Sequence, residues 1–384
     1  MPQAPVLATW FWALTKRLPS TEQVGGLLRD PRWRRRVGLH PEDGGSPDTA
    51  GRILDELCPD EWHEFLLECF FVARRAGLLQ DDGPYGQRCA VVDLNELFTS
   101  RTRHCPDCQT REVTVVDRTG AKRQVTEYFH QAVALVWAGG AVTWPIGWEI
   151  LGPGEGELTA AYRLLARLLP RLQRSVDLVL GDALYCCRPF FALVCGAGLE
   201  GLAICNPQTD LHAEMDYLQQ HTAPDSVCGG DVAQWGLETT TWEQDLKLGR
   251  PLRVLHCERR TAAKPWKHER RTLRVVTSAP VAILPAGQGW KVGRARWKIE
   301  DGTFNLLTRD YALTHNYRHS AAAILGLLVL RAVAYGLTWA YRRFATARSH
   351  DAPHNLLWWH QLVLGEDWVR YLDGALTAAN PRGG

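Results

Sequence analysis

The stretch that decides the fold is SVDLVLGDALY, residues 175–185, in which an apolar run of strand length ends at Asp182 and passes directly into a turn. A similar run, CAVVDLNELF at residues 89–98, carries Asp93 inside it. Continuous apolar runs of this kind are typical of strands that are buried on both faces of a sheet. These two predicted strands therefore bring the carboxylates of Asp182 and Asp93 to the sheet.

The segments around these runs predict the order of the other elements. The predicted elements, in chain order, are strands at 88–98, 125–139 and 141–151, a helix at 156–172, a strand at 176–182, a helix at 188–197 and a strand at 199–206. Gly139-Gly140 predicts a hairpin turn between the second and third of these strands. The helix at 156–172 is expected to stop at Pro170. A meander followed by a crossover helix places the first and fourth strands side by side. This is the order of a ribonuclease H-like α/β fold, a mixed sheet flanked by helices, in which Asp93 and Asp182 meet.

A third carboxylate lies in the helical stretch RARWKIEDGTFNLL, residues 294–307. Trp297, Glu300, Phe304 and Leu307 follow helical spacing, so that Glu300 falls on an otherwise apolar stripe. A carboxylate that points inward must be paired or bound to a metal ion. The two interpretations are a metal ligand and a buried salt bridge with Arg296, one turn earlier.

Taken together, these motifs resemble the insertion-sequence DDE transposases over roughly residues 88–340. The matching positions are Asp93, Asp182 with Tyr185 three residues later, Arg296 with Glu300 four residues later, and the pair Phe304-Asn305. The first acidic motif matches by position, and the third motif is the strongest.

The resemblance implies a DNA transposase that cleaves strands at the ends of a mobile element and joins them to target DNA, using two Mg²⁺ or Mn²⁺ ions. Asp93, Asp182 and Glu300 would be the catalytic residues and the metal ligands, because hard oxygen ligands suit these ions. The implied partners are double-stranded DNA with terminal inverted repeats and target DNA, bound by a homodimer, with no membrane. The implied location is the cytoplasm of a bacterium or archaeon, at the nucleoid.

Three positions depart from the pattern of the family. Leu94-Asn95 follow Asp93 where Gly-Thr is usual, and Gly293 occupies the position of a common tyrosine. Thr308 and then Arg309 stand near the position of a lysine. These departures leave open a protein that folds and binds DNA but cuts it poorly.

The charge distribution indicates where DNA would bind. The net charge of the 384 residues is only +2, but residues 243–274 contain ten Lys and Arg against four Asp and Glu. A local basic patch can neutralise phosphates even when the whole chain is nearly neutral; the alternative is a solvated charged surface. The residues predicted to contact DNA are Arg259, Arg260 and Trp242 in this region, and Arg296, Arg309 and Tyr185 near the acidic residues.

The domain organisation follows from these segments. The predicted catalytic core comprises residues 86–206 and 287–345, interrupted by a β-rich insertion at 207–286; a helical region, for DNA binding or dimerisation, precedes it at 1–85, and a tail follows at 346–384. The apolar stretch at 320–340 is nearly long enough to span a bilayer. Arg331 lies at its centre, where a charge is costly, so a buried helix is predicted instead.

The cysteines raise the question of whether the chain also binds zinc. Of the eleven cysteines, Cys105 and Cys108 form the only CxxC pair, and His104 stands beside them. A structural zinc site normally has four ligands, often as two such pairs. The scattered cysteines are otherwise typical of reduced thiols in the cytosol.

Two other functional classes remain open from the sequence. One is a transposase-derived DNA-binding protein that has lost catalysis, favoured by the departures from the family motifs. The other is a metal-dependent phosphoester hydrolase that acts on a smaller substrate.

Overall fold

The chain divides into two compact units. Unit 1 comprises residues 1–78 and 305–384, and unit 2 comprises residues 79–304. The computed structural model describes residues 3–40, 42–43, 45–79, 86–139, 142–205, 210–224, 226–228, 232–237, 252–264 and 267–346. All three acidic residues singled out above lie in unit 2.

Helices account for all of the regular structure described in unit 1 and flank the strands of unit 2. The helices are α1 (Gln3–Thr15), α2 (Thr21–Arg29), α3 (Pro31–Val37), α4 (Pro47–Glu56), α5 (Pro59–Arg75), α6 (Glu157–Leu172), α7 (Arg188–Gly196), α8 (Asp210–His221), α9 (Gly289–Ala295), α10 (Asn305–Tyr311) and α11 (Ala321–Thr346). The strands are β1 (Cys89–Ser100), β2 (Gln109–Val116), β3 (Lys122–Ala138), β4 (Thr143–Ile150), β5 (Leu178–Gly181), β6 (Glu200–Ile204), β7 (Ser226–Cys228), β8 (Val232–Leu237), β9 (Leu252–Lys264) and β10 (Lys267–Thr277).

Unit 1 is helical, and its core is organised around α11, which packs against α1, α4 and α5. Side-chain caps define the ends of the shorter helices: Ser20 accepts the backbone N–H of Gln23, and Asp30 accepts those of Arg32 and Trp33. The prediction of helices in residues 1–85 is thus confirmed for the part described. From its sequence, α11 was predicted to belong to the catalytic core, whereas the structure groups it with the N-terminal helices.

Helix α11 is the one described helix that is long and apolar enough to cross a membrane, by length and composition alone. It is mostly buried within the folded chain. Arg331 is 3% exposed, and its guanidinium donates to the carbonyls of Tyr311 and His315 at 3.2 and 2.9 Å. These contacts are those of a buried core helix, as the sequence predicted.

Unit 2 is built on one mixed sheet, which confirms the coarse α/β class. Among the described residues the strand order is β2-β3-β1-β5-β6-β10-β9-β8-β7, with β4 also paired to β3. Strands β1, β5 and β6 run parallel to one another, and the other pairings are antiparallel. The predicted adjacency of the first and fourth predicted strands is therefore confirmed as the pair β1 and β5.

Two local features differ from the sequence expectation. Strand β2 was not predicted; its side chains are mostly exposed, so it lacks an apolar run. Helix α6 does not stop at Pro170 but continues to Leu172, where a row of buried leucines keeps its last turn against the sheet. Tertiary packing thus outweighs the local signal of proline.

The segment at 207–286 extends the same sheet rather than forming a separate one. Strand β10 pairs antiparallel with β6, with Val275 opposite Ile204, and β9, β8 and β7 follow outward. Helix α8 also lies in this segment.

Two glycines allow α9 to lie directly on the extended part of the sheet. A Cβ atom at Gly289 would come within 2.7 Å of Leu255 Cδ1 on β9, and one at Gly293 within 2.9 Å of Leu273 Cδ2 on β10. Both approaches are closer than real Cβ contacts allow. The chain continues from α9 through Arg296 to a π-helical turn at Glu300–Phe304.

Candidate active site

Asp93 lies inside β1, with its backbone opposite Ala134 of β3. The residue is only 9% exposed, and its Oδ1 accepts the backbone N–H of Leu94 at 2.9 Å. Burial raises the pKa of Asp93 to about 7, against the opposing effects of the Leu94 hydrogen bond and the Arg296 charge. The negative charges of Asp182 and Glu157 add to the increase. Burial is therefore the main cause of the raised pKa of Asp93, and the nearby carboxylates contribute less.

Asp182 follows β5 and caps a short 3₁₀ turn at Ala183–Tyr185, where its Oδ1 accepts the N–H of Leu184 at 2.8 Å. In the parallel pairing of β1 with β5, Val91 lies opposite Leu180. Continuing that register by two residues places Asp93 opposite Asp182. The charge of Asp182 contributes to the raised pKa of Asp93, so the two carboxylates lie within electrostatic range of each other.

Glu300 begins the π-helical turn that follows α9. Contacts to the start of β4 hold this turn: Thr143 Oγ1 donates to the carbonyl of Gly302 at 3.1 Å, and Thr303 Oγ1 donates to Thr143 Oγ1 at 2.7 Å. The side chain of Glu300 is 47% exposed. The prediction that Glu300 points into an apolar interior is therefore wrong; the residue opens toward solvent because the helix widens at that point.

Arg296 links two of the three acidic residues. Its NH1 nitrogen lies 3.4 Å from Asp93 Oδ2 and 3.1 Å from Glu300 Oε1. Since both oxygens share one nitrogen, they are no farther apart than the sum of these two distances. The guanidinium, which is 11% exposed, also lies over the ring of Trp297 at 4.5 Å. The salt bridge that the sequence offered as an alternative for Glu300 is thus present, and it also includes Asp93.

A fourth carboxylate, Glu157 at the start of α6, was not predicted from the sequence to belong to the site. Its Oε1 accepts the hydroxyl hydrogen of Tyr185 at 2.8 Å. Burial raises the pKa of Glu157, the Tyr185 bond opposes this, and the charge of Asp182 contributes a further increase. No motif marks this residue; its only signal was an acidic residue at a helix N-terminus, where a carboxylate is favoured in any case.

The structure revises the role of Tyr185, which was predicted to contact DNA. Its side chain is fully buried, with its ring at 5.5 Å from that of Phe190, and its hydroxyl is engaged by Glu157. Tyr185 therefore positions Glu157 beside Asp182 instead of presenting a surface to nucleic acid.

We name Asp93, Asp182, Glu300, Glu157 and Arg296 the acidic site. Among the described residues, the oxygens of Asp93, Asp182 and Glu300 do not form a group in which all lie within 4.8 Å of one another. The arrangement is a pair of carboxylates on neighbouring strands, joined to a third by an arginine. A scan against protein-family models finds no match for this chain, and a search of curated proteins finds no significant match.

The other residues predicted to bind DNA are distributed elsewhere. Arg309 lies in α10 of unit 1 and pairs with its neighbour Asp310 at 2.8 Å. Arg259 and Arg260 lie in β9, with side chains outside the described residues, and Trp242 is wholly outside them. These predictions remain untested by the structure.

The packing explains one position at which the sequence differs from the transposases that it resembles. Gly293, where tyrosine is common, lies in α9 at the closest approach to β10, with Leu273 Cδ2 and Val275 Cγ1 both 2.9 Å from the position of a Cβ atom. A tyrosine could not fit there without displacing the helix from the sheet. The glycine thus reflects local packing and does not by itself indicate a damaged site.

Proposed function

We propose that this chain is a transposase-like DNA strand transferase of the DDE type, built on a ribonuclease H-like core. The observation that carries the proposal is the pairing of β1, which holds Asp93, with β5, which leads directly into Asp182, together with the contact of Glu300 and Asp93 through Arg296. The order β4-β3-β1-β5-β6, with α6 as the crossover helix, supports the proposed core.

The donor set fits a hard divalent cation in its chemistry. Every ligand offered by Asp93, Asp182, Glu300 and Glu157 is a carboxylate oxygen, the type that Mg²⁺ and Mn²⁺ prefer. When bound, two such ions would supply an activated attacking oxygen and a stabilised leaving oxygen for displacement at phosphorus.

The residues of the chain have separable tasks in this proposal. Asp93 must lose its proton before it can serve as a metal ligand. Because its pKa is raised to about 7, this proton is lost near neutral pH. The guanidinium of Arg296 contacts both Asp93 and Glu300 in the structure. It would therefore have to move away before a metal ion could bind these carboxylates. Once released it lies within one helical turn of Glu300, where it can meet a phosphate oxygen.

The hairpin of β9 and β10 supports nucleic acid as the partner. In its register Arg259 lies opposite Arg271, and Arg260 lies opposite Arg270. The sequence of this hairpin is rich in arginine and lysine, and a basic patch can neutralise anions. A DNA backbone supplies regularly spaced anions of this kind.

A second candidate is a DNA-binding protein of the same origin with impaired cleavage. The contact of Arg296 with both Asp93 and Glu300 favours it, because the guanidinium already satisfies two of the three acids. In that case the acidic site holds the core together and the basic hairpin retains its function.

Cleavage of DNA that carries the inverted repeats flanking the gene separates the two candidates. With Mg²⁺ present, the wild-type chain is expected to nick or cut at the repeat ends, and Glu300→Gln is expected to lose this activity while still binding the DNA. Asp301→Asn is the matched control, because Asp301 is the exposed acidic neighbour of Glu300. Binding without cleavage by the wild type, over a range of Mg²⁺ and Mn²⁺ concentrations, would establish the second candidate instead.

A further inference from the structure

Three side chains at the far end of β1 converge in a way that the transposase proposal does not use. Cys105 and Cys108 lie in the loop between β1 and β2, and His130 lies on β3. The distance between the two Sγ atoms is 3.6 Å, and His130 Nε2 lies 3.3 Å from Cys105 Sγ and 3.2 Å from Cys108 Sγ. We propose that these three residues, named here the Cys/His cluster, bind a zinc ion.

The local backbone brings the two thiols to one side. Cys105-Pro106-Asp107-Cys108 forms a tight turn in which the N–H of Cys108 donates to the carbonyl of Cys105 at 3.2 Å. Proline at the second position and aspartate at the third suit such a turn. The N–H of Cys105 points to Cys108 Sγ at 3.3 Å, a contact that stabilises negative charge on that sulfur.

The sheet register supplies the histidine. Gln109, the first residue of β2, pairs with Phe129 of β3, so that Cys108 and His130 occupy the next positions on the two strands. His130 is fully buried, and Cys108 is 6% exposed. The cluster is thus a fixed part of the sheet and is largely shielded from water.

The distances fit zinc coordination. With bonds of about 2.3 Å to sulfur and about 2.0 Å to nitrogen, a tetrahedral zinc ion separates two sulfurs by about 3.8 Å and a sulfur from a nitrogen by about 3.5 Å. The observed separations lie within a few tenths of an ångström of these values. One tetrahedral position remains for a fourth ligand from the chain or from solvent.

Two alternatives explain the contacts less well. A disulfide would require the two sulfurs to lie about 2.05 Å apart. Hydrogen bonding alone would ask both sulfurs to share the single Nε2 atom, which offers either one hydrogen or one lone pair. Three ligand atoms directed at one point are the arrangement that a metal ion satisfies.

His104, which the sequence placed beside the cysteines as a possible ligand, has another role. Its ring stacks on that of Tyr128 with centroids 4.7 Å apart. The ligand is His130, two residues farther along β3 on the same face as Tyr128. A zinc ion there would tie the loop that follows β1 to β3, and so brace the strand that carries Asp93.

Metal analysis of the full chain, purified under reducing conditions, tests the proposal directly. The wild type is expected to contain about one zinc ion per chain, and Cys105→Ser, Cys108→Ser and His130→Ala are expected to contain less than about a tenth of that. His104→Ala and Cys58→Ser are the controls and should keep the metal, since Cys58 is exposed and its side chain caps no helix.

Two further measurements keep the result interpretable if a variant folds poorly. His130→Cys replaces one zinc ligand by another and is expected to recover the metal that His130→Ala loses. Cobalt added to the zinc-depleted wild type should give the visible absorption of a tetrahedral site with sulfur ligands, and Cys108→Ser should not. Wild-type protein that contains no zinc and takes up no cobalt, or zinc that persists in all three ligand variants, would overturn the assignment. None of these readouts depends on DNA cleavage.

Discussion

The acidic site and the Cys/His cluster lie on one sheet but are built in opposite ways: Asp93 lies on β1, whereas the cluster takes two residues from the loop after β1 and one from β3. The acidic site gathers carboxylate oxygens from four separate elements and already contains a cation, the guanidinium of Arg296. The Cys/His cluster gathers two sulfurs and one nitrogen within 26 residues of chain and contains no opposite charge among its three members. In the proposed roles the two sites would not compete for the same ion, because carboxylate oxygens suit a hard cation and thiolate sulfurs suit zinc.

The largest expected effect is that one substitution abolishes DNA cleavage and leaves zinc binding intact, whereas a second abolishes zinc binding. Asp182→Asn removes a carboxylate from the acidic site, so cleavage is expected to fall by about a hundredfold or more, with zinc content unchanged. His130→Ala is expected to lose the zinc and to melt at a lower temperature, because a ligand that binds only the folded chain stabilises it. Parallel assays of cleavage, metal content and melting for both variants measure this separation.

Asp182→Asn that also lost zinc would break the comparison, since the two sites would then form a single unit. Retention of cleavage by Asp182→Asn would remove that residue from the reaction.

An intermediate effect concerns the dependence of stability on pH. The folded chain raises the pKa of Asp93 from 3.8 to about 7, so the folded state binds a proton more tightly than the unfolded state, and stability falls as pH rises between these values. Asp93→Asn removes the buried charge and keeps an acceptor for the N–H of Leu94. Above pH 7 the variant is expected to be more stable than the wild type by about 2–4 kcal/mol, and the gain should shrink toward pH 4. Urea unfolding at several pH values measures it.

Glu96→Gln on the same strand is the control. Glu96 is more exposed and forms an ion pair with Arg111 at 2.8 Å, so its loss should not stabilise the chain. A variant Asp93→Asn that is less stable than the wild type at pH 8 would mean that the Arg296 contact outweighs the cost of burial.

The smallest expected effect is that of Glu300→Gln on stability. Its salt bridge with Arg296 is nearly half exposed on the glutamate side, and such pairs contribute about 0–1 kcal/mol. The substitution is therefore expected to change the free energy of unfolding by less than about 1 kcal/mol while it removes cleavage. A loss of 3 kcal/mol or more, typical of a broken buried pair, would make Glu300 a structural residue.

The sequence predicted the parts of the site that depend on strands. The apolar runs around Asp93 and Asp182 were sufficient to place both residues on neighbouring strands, because a buried strand leaves a continuous local signal. The hairpin turning near Gly139 was predicted for the same reason, and β3 and β4 pair as expected.

The sequence did not predict the features that depend on tertiary contacts. The π-helical turn at Glu300 is held by Thr143, which lies far away in the chain, so helical spacing alone placed Glu300 too deep. Glu157 and the burial of Tyr185 follow from the packing of α6 beside the turn after β5. In the sequence, β2 separates His130 from the cysteine pair. The antiparallel register of β2 with β3 places His130 next to Cys108, and this register cannot be read from the sequence.

The close approach of α9 to β9 and β10 has a mechanical consequence. At Gly289 and Gly293 no side chain cushions the helix, so backbone rests on the side chains of Leu255, Leu273 and Val275. Interiors packed at this density transmit displacement instead of absorbing it. We therefore expect that a molecule which bends the hairpin of β9 and β10 also displaces α9, and with it Arg296 and Glu300. In the proposed function, this packing would couple the binding of a DNA end by the hairpin of β9 and β10 to the position of Arg296 and Glu300.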